Sequence, residues 1–363
     1  MRLGLYVADQ VWERTQSKGI YSYSRLLARE LPLRLAGHEV TLFVNRANRA
    51  DMDAGVAARV IELPTACASG LPRLGADNVV APVLAARAGL DLVHFPKGFL
   101  PWLGSGRRFT VTLHDTIPLY YARQPPGPFS RAKLAYLGAT IRHGLRRARA
   151  IVTDSEFSRS ALLDEAVRAG IAPPRIEVCP LTPSPDLVDP APPMRAAGEP
   201  RLLHLGSSLP HKRTAETIAL FRAFNRRHGG RWRLRVTGLT GPSPHDDVEL
   251  LGPVSRQCLR EELSGARALL LLSAIEGFGL PALEAWFLGT PVCHAGGGAI
   301  QEVLEGLPGA CARLDEDGFD AALESVLALS VDDRTVIRDR LRERYACEAF
   351  LARMSALMRA FLS

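Results

Sequence analysis

The sequence predicts an α/β protein of two Rossmann-like domains, each built on a parallel sheet, facing each other across a central cleft. Three observations carry that expectation. Short apolar runs alternate with longer segments of helical periodicity, the order that builds a parallel sheet covered on both faces. The alternation stops at a proline-rich stretch and then begins again. At 363 residues the chain is also longer than one ordinary core supports.

The first series opens on the strand "LGLYVA" (3–8) and a helical segment, "YSYSRLLARELPLRLAG" (21–37), with Gly37 where a helix stops. Strands "EVTLFVN" (39–45), "RVIELP" (59–64), "DLVHFP" (91–96), "FTVTLHD" (109–115), "AIVTDS" (150–155) and "RIEVCP" (175–180) continue it, with helical stretches between several of them. "CPLTPSPDLVDPAPPMRAAGEP" (179–200) carries many prolines and no period, and reads as a partly extended linker. The second series runs through "RLLHLGSS" (201–208), "TAETIALFRAFNRRH" (214–228), "RWRLRVTG" (231–238), "VELLGPV" (248–254), "RALLLLSAI" (267–275) and "TPVCHA" (290–295). The expected divisions are 1–185, 186–345 and a final amphipathic helix, 346–363. Open sheets of this kind bind ligands outside the carboxyl ends of their strands.

Composition narrows the functional classes. With 47% hydrophobic and 23% charged residues the chain is globular and not disordered. A formal charge of +7 invites a polyanion as partner. The arginine clusters "RHGLRRARA" (142–150) and "NRRHGGRWRLRV" (225–236) are short and lack the interleaved aromatics of a nucleic-acid groove, so no nucleic acid is expected. The first cluster leaves two readings open: contact with anionic headgroups at the inner face of a membrane, or a solvated helix face. The six cysteines show no C-x-x-C pair or zinc spacing, and read as buried free thiols in a reducing compartment. No apolar stretch reaches the roughly 18 residues of a spanning helix, and "MRLGLYVADQ" opens directly on a strand. The expected location is cytoplasmic, with peripheral membrane contact as an option.

The densest chemistry lies in "EGFGLPALEA" (276–285). It follows the strand "LLLLSAI", turns through two glycines, and places Pro281 at the first helical position, where its missing N–H is harmless. Amides near Gly279 and Leu280 would point out of the helix start, an anion site by geometry and dipole. Glu276 before the turn and Glu284 one helical turn inside it could accept hydrogen bonds from hydroxyls of a ligand whose phosphates lie between them. The plain alternative is helix capping by an acidic residue.

With "LGTPV" behind it, this block resembles the Glu-x7-Glu signature of the retaining family 4 glycosyltransferases, which have the GT-B fold. The resemblance implies that Glu284 binds the ribose of a nucleotide-sugar donor, that Glu276 contacts the donor sugar, and that the backbone of Gly277, Phe278, Gly279 and Leu280 meets the diphosphate. "LLHLGSSLPHKR" (202–213) is similar to the family's basic segment, which makes Lys212 and Arg213 diphosphate ligands; Ser207 and Ser208 stand where many relatives carry another arginine. "SKGIYSYSRLLARE" resembles the glycine loop after the first strand, with Gly19 retained and Lys18 in place of the other glycine. "FTVTLHDTIP" resembles the family's His-Asp-x-x-Pro segment, implying a catalytic His114 facing the donor sugar with Asp115 beside it. Ser155 and Glu156 in "IVTDSEFSR" read as architectural, and "HAGGGAIQEV" (294–303) matches a loop flanking the donor site. His94 ends a strand as well, and reads either as an acceptor contact or as a hydrogen-bonded structural group. Trp286 and Phe287 depart from the small residues common after the second glutamate, and read as packing.

The resemblance implies a reaction: retaining transfer of a hexose from a nucleotide sugar to a glycan or lipid-linked glycan, in cell-surface polysaccharide or lipopolysaccharide synthesis. Glu276, His114 and Lys212 form the expected catalytic set. The style of the motifs is similar to bacterial mannosyltransferases, placing GDP-mannose first and UDP-sugars next. No cofactor or metal is expected, since "HDD" (245–247) reads as a turn and not as a metal motif. A non-catalytic sugar-nucleotide or glycan binder on the same scaffold is the alternative. A nicotinamide dehydrogenase is disfavoured because no G-x-G-x-x-G follows "LGLYVA".

Overall fold

A computed structural model of the chain describes residues 1–14, 18–64, 70–104, 108–124, 127–193, 199–243 and 245–363. The chain divides into two compact units, one of Met1–Pro125, Phe129–Leu181 and Cys347–Ser363, the other of Pro126–Pro128 and Thr182–Ala346.

The first unit holds seven strands: β1 (Arg2–Tyr6), β2 (Glu39–Asn45), β3 (Arg59–Leu63), β4 (Leu92–Phe95), β5 (Phe109–Leu113), β6 (Ala150–Thr153) and β7 (Arg175–Val178). Their order is β3-β2-β1-β4-β5-β6-β7, and every pair is parallel. β4, β5 and β6 are buried along their whole length, as expected of strands covered on both faces. The chain winds outward from β1 to β3 and then returns to lay β4 on the other side of β1. That reversal is a switch point, and the carboxyl ends of β1 and β4 flank it. The last helix, Cys347–Leu362, packs in this unit. Phe350 lies edge-on to Tyr23 at 5.7 Å, and Glu348 pairs with Arg34 at 2.7 Å.

The second unit holds β8 (Arg201–Leu205), β9 (Arg233–Thr237), β10 (Val248–Gly252), β11 (Ala268–Leu271) and β12 (Val292–His294). The order β10-β9-β8-β11-β12, again all parallel, puts the switch point between β8 and β11. A core of Leu202, Phe221, Phe224, Leu234, Leu270, Phe319 and their neighbours fixes this sheet against its helices. Trp286 is fully buried and Phe287 nearly so, in agreement with a packing role.

Two expectations are corrected here. Gly19 lies in the first turn of the helix Lys18–Arg34, not in a loop before it. The described part of the proline-rich stretch is no free linker. It forms a short helix, Pro185–Val188, with Leu187 and Val188 buried, and Asp186 pairs with Arg256 at 2.9 Å. Of the cysteines, Cys179, Cys293 and Cys311 are buried, Cys258 and Cys347 are partly exposed, and Cys67 lies outside the described residues.

Candidate functional site

In the second unit the loops leaving β8 and β11 lie side by side, because those strands are neighbours. Gly206 opens the first loop. A Cβ there would stand 2.7 Å from Val236 Cγ1 and 3.0 Å from the Thr237 carbonyl, so the close turn requires glycine. Thr214 pins the loop from inside: its Oγ1 accepts from the Ser207 amide (3.2 Å) and lies 3.1 Å from Nε2 of buried His204. Burial pushes His204 down to about 4, so it is neutral, donating from Nδ1 to the Leu270 carbonyl at 2.9 Å. A 3-10 turn, Pro210–Lys212, ends the loop. Arg213 follows at φ 49°, ψ 38°, the one non-glycine with positive φ among the described residues. Such a conformation costs about 1–3 kcal/mol and tends to persist where the surroundings impose it.

That geometry aims Lys212 at the loop leaving β11. Its Nζ donates to Glu276 Oε1 at 2.7 Å, and the two side chains are 20% and 10% exposed. The Ala274 amide donates to the His211 carbonyl (2.7 Å), tying the loops together. His211 beside them is buried and held down to about 4, by burial first and then by Lys212, with Glu276 acting against. Past Glu276 the chain turns at Gly279 (φ 97°) into the helix Leu280–Phe287. The Gly279 and Leu280 amides have no acceptor among the described residues. The ring of Phe278, expected among the donor contacts, is buried edge-on against Tyr345 at 5.8 Å, which leaves only its backbone for a ligand.

The loop after β12 backs this turn. A Cβ on Gly297 would fall 2.4 Å from the Ala274 carbonyl, and one on Gly298 2.5 Å from the Glu276 carbonyl. The Ala299 amide donates to that same Glu276 carbonyl at 3.1 Å. Two glycines therefore let one backbone lie directly against another and fix where Glu276 stands. Glu284 is partly buried, and its carboxylate has no hydrogen bond or ion pair among the described residues. Burial raises it to about 7, with Arg256 pulling the other way. An unpaired carboxylate one turn inside a helix is an open acceptor for hydroxyls.

The first unit decides between the two readings of His94 and shows His114 turned to partners within the unit. His94 on β4 is fully buried, with Nδ1 3.0 Å from Thr110 Oγ1 and Nε2 3.0 Å from Thr112 Oγ1. Burial, aided by His114, lowers it to about 3, so it is a neutral structural group and not an acceptor contact. His114 does stand at the carboxyl end of β5, but Nδ1 is 2.8 Å from Asp154 Oδ2 and Nε2 is 2.7 Å from the Pro96 carbonyl. The Pro96 carbonyl can only accept, so Nε2 carries a proton, and both nitrogens are engaged within the unit. Burial opposes a charge on the ring; Asp154, with the Pro96 carbonyl and Asp115, outweighs it and holds the imidazole above its ordinary range, while burial also raises the Asp154 carboxyl. Asp115 accepts from the Ile117 amide at 3.1 Å, capping the helix Ile117–Arg123.

Sequence reasoning missed a cluster at this unit's switch point. Asp9, just beyond β1, is buried and meets both Lys97, just beyond β4, and Arg73, each at 3.4 Å. Arg73 also reaches Asp77 (3.1 Å), which accepts from Tyr6 Oη at 2.7 Å. Burial, and then Asp9, lifts Asp77 to about 6. The available signal was position: "LGLYVA" and "DLVHFP" are followed directly by Asp9 and Lys97, the residues that join the cluster. A hollow of about 910 Å3 elsewhere in the second unit, lined by Arg231, Arg233 and Arg235 among others, shares no residue with the Lys212–Glu276 loops. Arg235 there is already paired with Glu249 and Glu262. No group of three or more His, Cys, Asp or Glu placed to hold a metal occurs among the described residues.

Comparison with known proteins extends these observations. The family described as Glycosyltransferase Family 4 matches residues 18–181, and the one described as Glycosyl transferases group 1 matches residues 199–329. No curated protein matches the chain significantly by sequence. Among solved structures, sucrose-phosphate synthase from Thermosynechococcus elongatus aligns with TM-score 0.70 at 18% identity, over 99% of this chain and 98% of that one. Anabaena Alr3699/HepE in complex with UDP-glucose aligns with TM-score 0.65 at 15% identity, over 99% of each chain. WaaG, a glycosyltransferase involved in lipopolysaccharide biosynthesis, aligns with TM-score 0.66 at 15% identity, over 98% of this chain and 99% of that one. At such identities the likeness establishes the fold.

Proposed function

The chain belongs to the family 4 glycosyltransferases of the GT-B fold, and from that premise we propose that it transfers a hexose, with retention and without a metal, from a UDP-sugar to a glycan or lipid-linked glycan. One observation carries the reading: the Lys212–Glu276 pair at the switch point of β8 and β11, beside the free amides of Gly279 and Leu280. In the free protein Glu276 holds Lys212 in place. A donor diphosphate would draw Lys212 and the amides to itself and release the Glu276 carboxylate to accept hydroxyls of the sugar. Glu284 then takes the ribose.

In the transfer step the bond from the anomeric carbon to the diphosphate oxygen breaks, and its electron pair stays on that oxygen. The acceptor oxygen forms the new bond on the same face, and its proton passes to the leaving phosphate. The transition state is oxocarbenium-like, and negative charge grows on the diphosphate. Fixed donors aimed at that growing charge lower the barrier more than they stabilise the ground state. Lys212, Arg213 and the turn amides fill that role. His114, with both nitrogens engaged in the free protein, orders the end of β5. UDP moves ahead of GDP because matched structures hold UDP-glucose and UDP-2-fluoro glucose. The acceptor reading draws on the WaaG match and on the Asp9–Lys97–Arg73 cluster, where charged groups meet at the other switch point.

The test is a thermal-shift and turnover screen of UDP-, GDP-, ADP- and TDP-sugars with and without EDTA. Ligand that binds only the folded state raises the melting temperature by mass action. A shift with UDP-sugars that survives EDTA, with nucleotide released on adding acceptor, is the expected result. A shift confined to the GDP series moves the donor assignment, and loss of activity in EDTA overturns metal independence.

A further inference from the structure

One face of the first unit carries features that the transfer chemistry does not use. Large apolar side chains stand exposed there: Val79 by 49%, Val83 by 44%, Trp102 by 47%, Leu103 by 57% and Tyr136 by 51%. They belong to one surface. The Trp102 amide donates to Asn78 Oδ1 (2.8 Å), and its ring stacks on His143 at 4.2 Å. His143 also donates to the Pro101 carbonyl (2.9 Å), Arg147 reaches the Gly104 carbonyl (3.4 Å), and a Cβ on Gly104 would sit 3.2 Å from Pro82. The helices Ala81–Arg87 and Arg131–Arg147 thus clamp the turn 101–104 between them and present Trp102 and Leu103 outward. A contiguous exposed apolar patch on a folded unit marks an interaction site.

Charge says what kind. The helix Arg131–Arg147 contains no Asp or Glu at all. Between 72 and 104 the acids are Asp77, buried with Arg73, and Asp91, which accepts from the Arg2 amide at 2.8 Å. Around the apolar patch stand Arg87, Arg108, Arg146 and Arg147, exposed and with no carboxylate partner among the described residues. A second copy of the chain would oppose like charges across such a face. A nucleic-acid strand would leave the aliphatic residues without a partner. Tryptophan at headgroup depth, apolar neighbours beneath it and arginines at the phosphates match a lipid interface. No helix among the described residues is long and apolar enough to cross a membrane, so the contact would be one of lying on the surface.

We propose that this face docks the protein on a membrane rich in anionic phospholipid, with Trp102 and Leu103 entering the headgroup region and Arg146 and Arg147 meeting phosphates. The inference goes beyond the transfer reaction and is read by vesicle binding, whereas that reaction is read by donor turnover, so either can fail alone. The experiment is co-sedimentation of the full chain with phosphatidylcholine vesicles, with and without phosphatidylglycerol, across a salt series. Binding is expected only with phosphatidylglycerol, and should weaken with salt. Each surface arginine is worth about fivefold in partition, so Arg146→Glu with Arg147→Glu should reduce binding by at least about 30-fold. Trp102→Ala with Leu103→Ala should reduce it at every salt concentration, and Trp102→Phe should remove a blue shift of emission on adding anionic vesicles. Melting curves of the variants verify that they fold. Equal binding to both vesicle types, no binding at all, or binding indifferent to both double variants would overturn the proposal. So would a concentration-dependent dimer that Trp102→Ala abolishes.

Discussion

Replacing Lys212 by Met keeps the aliphatic stem and removes the cation that faces Glu276. At 20% and 10% exposure this pair lies between two regimes. Exposed pairs are worth about 0–1 kcal/mol, whereas stripping one partner from a buried pair costs about 3–5 kcal/mol. A hydrogen bond to a charged group, about 1.5–3 kcal/mol, brackets the same range. Lys212→Met should therefore destabilise the second unit by about 2 kcal/mol. Glu276→Gln, which keeps the shape and an acceptor oxygen, should cost about 1 kcal/mol. The double variant strands no charge, so its loss should fall short of the sum by about 1–2 kcal/mol.

Urea unfolding followed through emission reads the second unit in part through Trp232 and Trp286, both buried within it. Circular dichroism reports the whole chain. Turnover should not track stability. Lys212 has a second task on the leaving diphosphate, and losing one donor aimed at developing charge typically costs about 10²–10³ in rate. The double variant is thus expected to be nearly as stable as Lys212→Met or more so, and as inactive. Strictly additive stability losses would show that the 2.7 Å contact contributes no coupling. A double variant that regained turnover would refute the cationic role.

The same geometry sets three further outcomes. Glu284 rises to about 7 on folding. A raised carboxyl is a penalty absent below its unfolded value and complete above its folded one, so stability falls as pH rises between about 4.5 and 7. Glu284→Gln should gain about 1–3 kcal/mol at pH 8 by urea titration, yet bind UDP more weakly by calorimetry; weaker stability at pH 8 would refute the burial argument. Gly297→Ala drives a Cβ to 2.4 Å from the Ala274 carbonyl, and should raise the donor KM or abolish turnover with circular dichroism nearly unchanged; wild-type kinetics would show that the loop gives way freely. His114 is held above its ordinary value by Asp154 against burial, so its contribution is present below about 6.5 and lost as pH climbs through the raised value. Asp154→Asn should flatten that alkaline loss, measured as melting temperature against pH, and a slope equal to wild type would assign it elsewhere.

The legible part of the site was the part written locally. Glu276, the glycine turn and Glu284 lie within nine consecutive residues, and turn chemistry and helix-start rules act at that range. Lys212 came instead from the likeness of "LLHLGSSLPHKR" to the family's basic segment, since helix-start rules disfavour a cation there. The partners of the histidines were illegible for a reason of range. A histidine near a strand's carboxyl end has a position that sequence can supply, but its neighbours come from the next strand and the loop beyond. His94 is satisfied by Thr110 and Thr112, 16 and 18 residues away, and His114 by Asp154, 40 away. Whether such a nitrogen is free is a tertiary fact fixed by register.

Gly19 shows the converse error, since one glycine without a second does not stop a helix from starting at Lys18. Asp9 and Lys97 were hidden by the same range problem but need less to recover. Knowing only that β4 lies beside β1, the residues just past both strands must come together at the switch point. The rule that finds Lys212 and Glu276 past β8 and β11 finds Asp9 and Lys97 past β1 and β4. The two units thus carry charged pairs at equivalent places in their sheets, and strand order, more than motif, is what makes the second pair visible.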